Sequence, residues 1–253
     1  MAYLLGIGGL SGSGKSTLAK LVVKHLELWD LSCYTLSTDD CYKDLSHYPQ
    51  EERDAFCFDP GHNFDSPWSL NGDRIVAFAE AMKRGRGFKY NKYDFSRHCY
   101  GDETAMVPDG LDVGIIEGIF ALYSGPEVGT KGTELVEKYD HRIFVVTSPE
   151  IGVTRRVRRD TVERGRETAH VLDQLEKTVI PMQKKHIMPT QQNADDIVNW
   201  FTDETQPREE AQAVLLAIAR QRALAIYDAV RKAKGEKPLL PEITLDGIEI
   251  FPG

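Results

Sequence analysis

The chain has 253 residues, 41% hydrophobic and 28% charged, enough to close one sizeable core with a small appended element. A formal charge of -8 excludes polyanion binding as the main business, since such surfaces need net or segregated positive charge; small-molecule substrates are favoured and no nucleic-acid partner is expected. No stretch reaches the roughly 20 apolar residues of a bilayer span, and the opening Met-Ala-Tyr-Leu-Leu-Gly lacks the basic start of an export signal, so no membrane association is expected.

Along the chain, Tyr3 to Gly8 is a short apolar run that leads through a glycine-rich turn into Ser16-Thr-Leu-Ala-Lys-Leu-Val-Val-Lys-His-Leu, whose apolar residues recur at helical spacing. Buried-strand patterns return at Ser32 to Ser37, Val113 to Ile116 and Arg142 to Val146, separated by helical or loop segments. That alternation predicts a doubly wound α/β core with a mainly parallel sheet between helices. Asp73 to Lys83 reads as an amphipathic helix. Within Arg84 to Pro108, the extended runs Gly87 to Tyr93 and Thr104 to Val107 predict a β-hairpin inserted over the substrate side. Arg155 to Arg166 is strongly charged and Val171 to Lys185 continues in a helical pattern, which predicts a mobile helical lid over about 155–170. Pro207 to Lys234 reads as one long helix with proline in its first turn, followed by a tail from Gly235. The expected division is a main domain over 1–205 and a C-terminal helix and tail over 206–253. Cys33, Cys41, Cys57 and Cys99 form no C-x-x-C pair, which suggests a reducing cytoplasmic setting and neither disulfides nor a zinc knuckle.

The segment Gly9-Leu-Ser-Gly-Ser-Gly-Lys-Ser16 satisfies G-x-x-x-x-G-K-[ST] in full, between a predicted strand and a predicted helix. This defines the expected fold more narrowly as a P-loop NTPase, a three-layer αβα sandwich. Backbone N–H groups around Gly9, Ser11, Gly12, Ser13 and Gly14 would face phosphate oxygens, with Thr17 just inside the helix whose positive end adds to the site. Lys15 would reach the β and γ phosphates of ATP and Ser16 would ligate Mg²⁺. Asn91-Lys-Tyr-Asp94 spells the N-K-x-D pattern of guanine readers, but no Asp in the chain has Gly three residues later, so the GTPase switch motif is missing.

The second core strand delivers Thr38-Asp39-Asp40-Cys41-Tyr42 to the carboxyl edge of the sheet beside the phosphate loop. An Asp there can take the proton of an attacking hydroxyl and hold a Mg²⁺-bound water, with Asp39 the choice and Asp40 its rival; a solvated turn with capping aspartates would use the same residues. Val113-Gly-Ile-Ile-Glu117 ends in a second carboxylate, placed to serve the metal. Arg155, Arg156, Arg158, Arg159, Arg164 and Arg166 gather six guanidinium groups within twelve residues of an acidic protein. An arginine-bearing lid neutralises a triphosphate and shuts out water, whereas a solvated helix would pair some of them with Asp160, Glu163 and Glu167. Arg155 or Arg156 is expected to be structural.

Taken together, Gly9 to Ser16, Asp39-Asp-Cys-Tyr42, Asn63-Phe-Asp65 with Pro67, Tyr93-Asp-Phe95 with His98, Glu117-Gly-Ile119, Arg159-Asp with Glu163-Arg-Gly-Arg166, Gln174, and Pro189-Thr190 with Ala194-Asp195 resemble the uridine-cytidine kinase branch of the phosphoribulokinase and uridine kinase family. The resemblance runs from about Leu4 to Ile197. It implies transfer of the γ-phosphate of ATP to the ribose 5′-hydroxyl of a pyrimidine nucleoside, with Asp39 as general base and Lys15, Arg159 and Arg164 as catalytic cations. It further implies Ser16, Asp39 and Glu117 around Mg²⁺, and Asp65, Arg166 and Gln174 on the ribose, with Tyr42 close by. Tyr93 and His98 would hydrogen-bond the base edge, while Phe64, Phe95 and Ile119 would pack on its face; taken singly, those three apolar residues are more often plain core. Ser66-Pro67-Trp68 stands where the family has His-Pro-Asp, and Asn199-Trp-Phe201 where a Pro-Arg-Gly-like turn is usual. The segment from Pro207 falls outside the resemblance and is of a kind that can cover a subunit interface, so a homo-oligomer stays open.

Overall fold

The structure, a computed structural model, describes residues 1–129, 132–162, 165–199 and 208–237. Its centre is a five-stranded sheet in the order β2-β5-β1-β6-β7, formed by β1 (Tyr3–Gly9), β2 (Cys33–Ser37), β5 (Val113–Glu117), β6 (His141–Val146) and β7 (Asp196–Asn199). Every pairing in it is parallel. The inner strands β1, β5 and β6, covered on both faces, are apolar on both sides and alternate only in the layer they serve, whereas the edge strands β2 and β7 are partly exposed. Leu4, Ile116 and Phe144 point into one apolar cluster, while Leu5, Ile7, Val113, Ile115, Ile143 and Val145 point into the other.

The second of these clusters is closed by α1 (Lys15–Glu27), through Leu18, Ala19, Leu21, Val22 and Leu26. The first is closed by α3 (Gly72–Lys83), through Ile75, Val76, Ala79 and Met82, with short α2 (Gln50–Ala55) farther out. An antiparallel hairpin of β3 (Phe88–Asp94) and β4 (Cys99–Val107) stands beside that layer. Its second strand starts at Cys99 rather than Thr104, because the turn between the strands is short and closes on His98 at φ 50°. Asn91 to Asp94 lies within β3, where Asn91 donates to the Gly101 carbonyl at 2.8 Å and Lys92 pairs with Glu103 at 2.6 Å. The resemblance of these four residues to a guanine reader is therefore incidental to a strand.

After the sheet's fourth strand in chain order come α4 (Pro149–Val162) and α5 (Thr168–Gln174). The rod runs on through Leu175 to Ile187 in wide π-type turns around α6 (Ile180–Met182), where Pro181 cannot donate to the helical ladder. The helical pattern expected from Val171 to Lys185 is thus realised as an irregular helix. Helix α7 (Arg208–Ala233) lies along α1 and joins the same cluster through Leu215, Ala219, Ala223, Ile226, Tyr227 and Val230. Trp29 meets Tyr227 edge-on at 5.5 Å. Pro207, expected to open this helix, is outside the described residues, as are most of the tail and the 205/206 boundary. Among the described residues no helix is long and apolar enough to cross a membrane.

This packing carries a stability prediction. Ile226→Ala removes a buried side chain from the cluster shared by α7, α1 and β1, and lowers unfolding free energy by about 2–5 kcal/mol in denaturant melts. A change under about 0.5 kcal/mol would mean that α7 is not part of the cooperative unit.

Candidate active site

Strand order decides where the chemistry gathers. Strands β2, β5 and β1 are neighbours, with Ser37 in register with Glu117 and Glu117 with Ile7. The residues that follow these strand ends, Thr38-Asp39, Gly118-Ile119 and the loop from Gly9, therefore emerge side by side at one edge of the sheet, where ligands of open parallel sheets bind. Together with the arginines of α4 they line one cavity: Ser11, Lys15, Ser16, Ser37, Asp39, Tyr42, Phe64, Asp65, Phe95, His98, Glu117, Gly118, Ile119, Arg156, Arg159, Arg166 and Gln174.

On the loop side, Gly14 caps α1 at φ 91°, and the first turn of α1 holds no acidic residue, so the helix's positive end is uncompensated. Gly9, Gly12, Ser13, Gly14 and Thr17 build the loop and the start of the helix, while Ser11, Lys15 and Ser16 reach the cavity. Gly12, at φ 78°, touches α4: a Cβ there would come 2.2 Å from the Gly152 carbonyl oxygen. Lys15 is buried and its Nζ donates to the Leu10 carbonyl at 3.0 Å. Burial pulls its pKa down, and the negative charges of Glu117 and Asp39 oppose that shift. The Ser16 hydroxyl donates to Oε2 of Glu117 at 3.1 Å. Burial also pushes the Glu117 carboxyl up, against the pull of Lys15. For both groups desolvation outweighs their mutual attraction, as it does where the cost of taking a charge out of water exceeds what its neighbours return.

Asp39 and Asp40 share one short 3₁₀ turn, Thr38–Cys41, in which the Asp39 N–H donates to the Ser37 hydroxyl at 3.2 Å. With about three residues per turn, adjacent side chains point some 120° apart, and the two carboxylates part company. Asp39 faces the cavity. Asp40 turns to the hairpin, accepting from the Tyr93 N–H at 3.1 Å and the Tyr90 hydroxyl at 3.3 Å, beside the register shift between Asn91 and Tyr93. Burial raises the Asp40 pKa, and the Tyr93 N–H pulls it back. Asp40 is a clasp for the hairpin.

Helix α4 spans both halves of the site on one face, since residues three, four and seven apart align on a helix. Gly152 meets the phosphate loop, and Arg155 donates to the Gly12 carbonyl at 3.3 Å. Arg156 Nη1 reaches Oδ1 of Asp65 at 3.2 Å, and Arg159 lines the cavity. Burial works against the Arg156 charge, but Asp65 and Asp160 more than offset it and the pKa is raised. Arg155 thus braces the loop, whereas Arg156, which the sequence offered equally as a structural residue, sits inside the site. Its signal was available in its spacing, three residues before Arg159. Arg166 Nη1 lies 3.4 Å from Gln174 Oε1, and Arg164 falls outside the described residues.

The far wall is aromatic. The His98 ring stacks on Phe64 with centroids 4.5 Å apart and planes 17° apart. Tyr42 meets Phe64, Tyr93 and Phe95 edge-on at 5.8, 5.3 and 6.2 Å. Burial lowers the His98 pKa, so its ring favours the neutral form; Nε2 lies 3.4 Å from Asp54 and 3.9 Å from Cys57 Sγ, while the buried Nδ1 has no hydrogen-bond partner among the described residues. Tyr93 is the one expected substrate residue that does not line the cavity. Its ring lies behind Tyr42 and Phe95, and among the described residues its buried hydroxyl has no hydrogen-bond partner.

A phosphate loop at the carboxyl edge of a parallel sheet, facing two carboxylates and an arginine-bearing helix across a second, ring-lined compartment, defines a P-loop kinase, a transferase that phosphorylates a hydroxyl. Residues 4–206 match the model of the Phosphoribulokinase / Uridine kinase family. The chain belongs to that family. It is 35% identical over 195 residues to the uridine kinase of Staphylococcus epidermidis, covering 77% of this chain and 86% of that protein. It is 32% identical over 197 residues to the uridine kinase of Halobacterium salinarum, covering 78% and 80%. In fold it is similar to phosphoribulokinase from Rhodobacter spheroides, with a TM-score of 0.60 at 13% identity over 81% of this chain and 73% of that one.

Proposed function

We propose that the protein transfers the γ-phosphate of ATP to the ribose 5′-hydroxyl of uridine or cytidine. The observation that carries this reading is the cavity itself, in which the phosphate loop with Asp39 opens onto a compartment walled by Asp65, Arg166 and Gln174 on one side and by stacked Phe64 and His98, Phe95 and Ile119 on the other. Polar groups suited to vicinal hydroxyls beside flat apolar walls suit a nucleoside better than a sugar phosphate, whose second phosphate would call for further cations on the acceptor side.

In this reading the loop amides, Lys15 and Arg159 hold the triphosphate and spread the charge of the transferring group. Asp39 accepts the proton of the 5′-hydroxyl as its oxygen attacks phosphorus. Asp65 accepts from the ribose hydroxyls, and Arg166 with Gln174 holds the sugar from the helical side. Tyr93 would join the base edge only by a shift of its ring. Mg²⁺ fits the donor set: a hydroxyl and a carboxylate, Ser16 and Glu117, already touch at 3.1 Å with Asp39 on the same rim. Among the described residues no cluster of three or more His, Cys, Asp or Glu could hold a metal. Ser16, Glu117 and Asp39 would hold the ion, which would supply positive charge to offset that of the phosphates.

The test is turnover. With ATP and Mg²⁺, coupled ADP release is expected with uridine or cytidine and to be far slower with ribulose 5-phosphate; the reverse preference would overturn the assignment. Asp65→Asn should raise the nucleoside KM by roughly 10–100-fold, the worth of hydrogen bonds to a charged acceptor, with kcat changed less. An unchanged KM removes Asp65 from the ribose.

A further inference from the structure

One carboxylate stands at the centre of the arginines without facing the cavity. Asp160 is fully buried in α4. Its Oδ1 accepts from Arg159 Nε at 2.9 Å and lies 2.8 Å from Arg159 Nη2. Its Oδ2 lies 3.6 Å from Arg156 Nε and 3.6 Å from Arg166 Nη1. Its main-chain carbonyl accepts the Arg166 N–H at 3.0 Å, drawing the chain beyond α4 back onto the helix. All three arginines line the cavity, and Asp160 does not.

The three face different parts of the site. Arg156 pairs with Asp65 and Arg166 lies against Gln174, both on the acceptor side. Arg159 lines the cavity one helical turn after Arg155, which donates to the Gly12 carbonyl of the phosphate loop at 3.3 Å. Guanidinium groups that converge in a poorly solvated site repel one another unless an anion lies among them. They are useful to a transferring phosphate only if their directions are set beforehand.

We propose that Asp160 is a positioning residue that couples the two halves of the site, its one carboxylate orienting Arg159 toward the nucleotide and Arg156 and Arg166 toward the acceptor. The naming of the halves rests on the nucleoside kinase reading. The hub itself does not, because nucleotide binding can be measured without an acceptor.

The experiment is a double-mutant cycle of Asp160→Asn with Arg159→Met, read as affinity for a fluorescent ATP analogue and, with uridine present, as kcat and KM, with thermal melts alongside. Asp160→Asn is expected to weaken nucleotide binding roughly tenfold and to raise the nucleoside KM. In the Arg159→Met background it should change nucleotide affinity by less than about twofold, since the group it orients is gone. A full Asp160→Asn penalty in that background, or a lowered melting temperature with affinity unchanged, overturns the proposal. If Asp160→Asn does not fold, Arg159→Met and Arg166→Met replace it, both leaving the carboxylate in place. Coupling between them beyond about twofold in nucleotide affinity supports a shared anchor, and additivity overturns it. A wild-type protein that binds nucleotide but phosphorylates neither pyrimidine nucleoside would remove the nucleoside reading, while the nucleotide cycle would still decide the hub.

Discussion

Asp39→Asn is expected to lower kcat by about 10²–10⁴-fold, the usual share of a general base in phosphoryl transfer, while nucleotide affinity stays near that of the wild type. Of the two acids in the turn Thr38–Cys41, Asp39 faces the cavity and Asp40 is spent on Tyr93 and Tyr90. Asparagine keeps the shape of the side chain and its place after the Ser37 cap, so loss of rate would report loss of proton acceptance rather than of the turn. Steady-state kinetics with uridine and ATP, together with fluorescence titration of an ATP analogue, separates the two effects. Near-normal turnover would take Asp39 out of the chemistry. The companion Asp40→Asn should leave kcat within about tenfold and instead loosen the hairpin, because a neutral amide accepts the same N–H less strongly.

Gly118→Ala is expected to cost about 2–5 kcal/mol of stability, combining a backbone conformation that side chains rarely adopt with overpacking of a full core. Gly118 sits at φ 151°, and a Cβ there would come 1.8 Å from Oγ1 of Thr38, itself fully buried. Neither partner can step aside. Gly118 N–H donates to the Ile7 carbonyl at 3.1 Å, which pins it to β1, and Thr38 opens the turn that carries Asp39. Any relief of the clash therefore moves Asp39 or Glu117, so kcat should fall even under conditions where the variant remains folded. Urea unfolding and kinetics at low temperature read the two consequences separately; a variant as stable and as active as the wild type would show that the β2 and β5 ends are not so tightly packed.

These two positions show how unevenly the site could be read in advance. Gly9 to Ser16 was legible because its function depends on backbone amides and on side chains within a single loop, so the local pattern contains the whole device. Four of the five sheet strands were legible for a similar reason, each being a short apolar run, whereas the edge strand β7 was not, because it is only four residues long and Asp196, Ile197 and Asn199 are not buried. The clash that fixes Gly118 was not legible, because Thr38 is eighty residues away in sequence and becomes its neighbour only when β2 pairs with β5. The same holds for Arg156, whose pairing with Asp65 crosses from α4 to the loop before α3. The placement of Tyr93 was not legible for a related reason, since its spacing from His98 reads the same whether its hydroxyl opens to the cavity or, as here, lies behind Tyr42 and Phe95.

By itself, the sequence determined that a complete phosphate-loop pattern stands at Gly9 to Ser16 between a strand and a helix, that two acids follow strands beside that loop, and that arginines concentrate after the strand ending near Thr147. Only the tertiary structure decided which acid faces the cavity and which arginines enter it. It also decided that Asp160 lies buried among them, and that the C-terminal helix completes the layer over α1. The physical reason is range. A phosphate loop is a local arrangement of dihedral angles and dipoles, whereas side-chain direction and charge pairing depend on which distant segment arrives alongside, and strand order and helix packing set that.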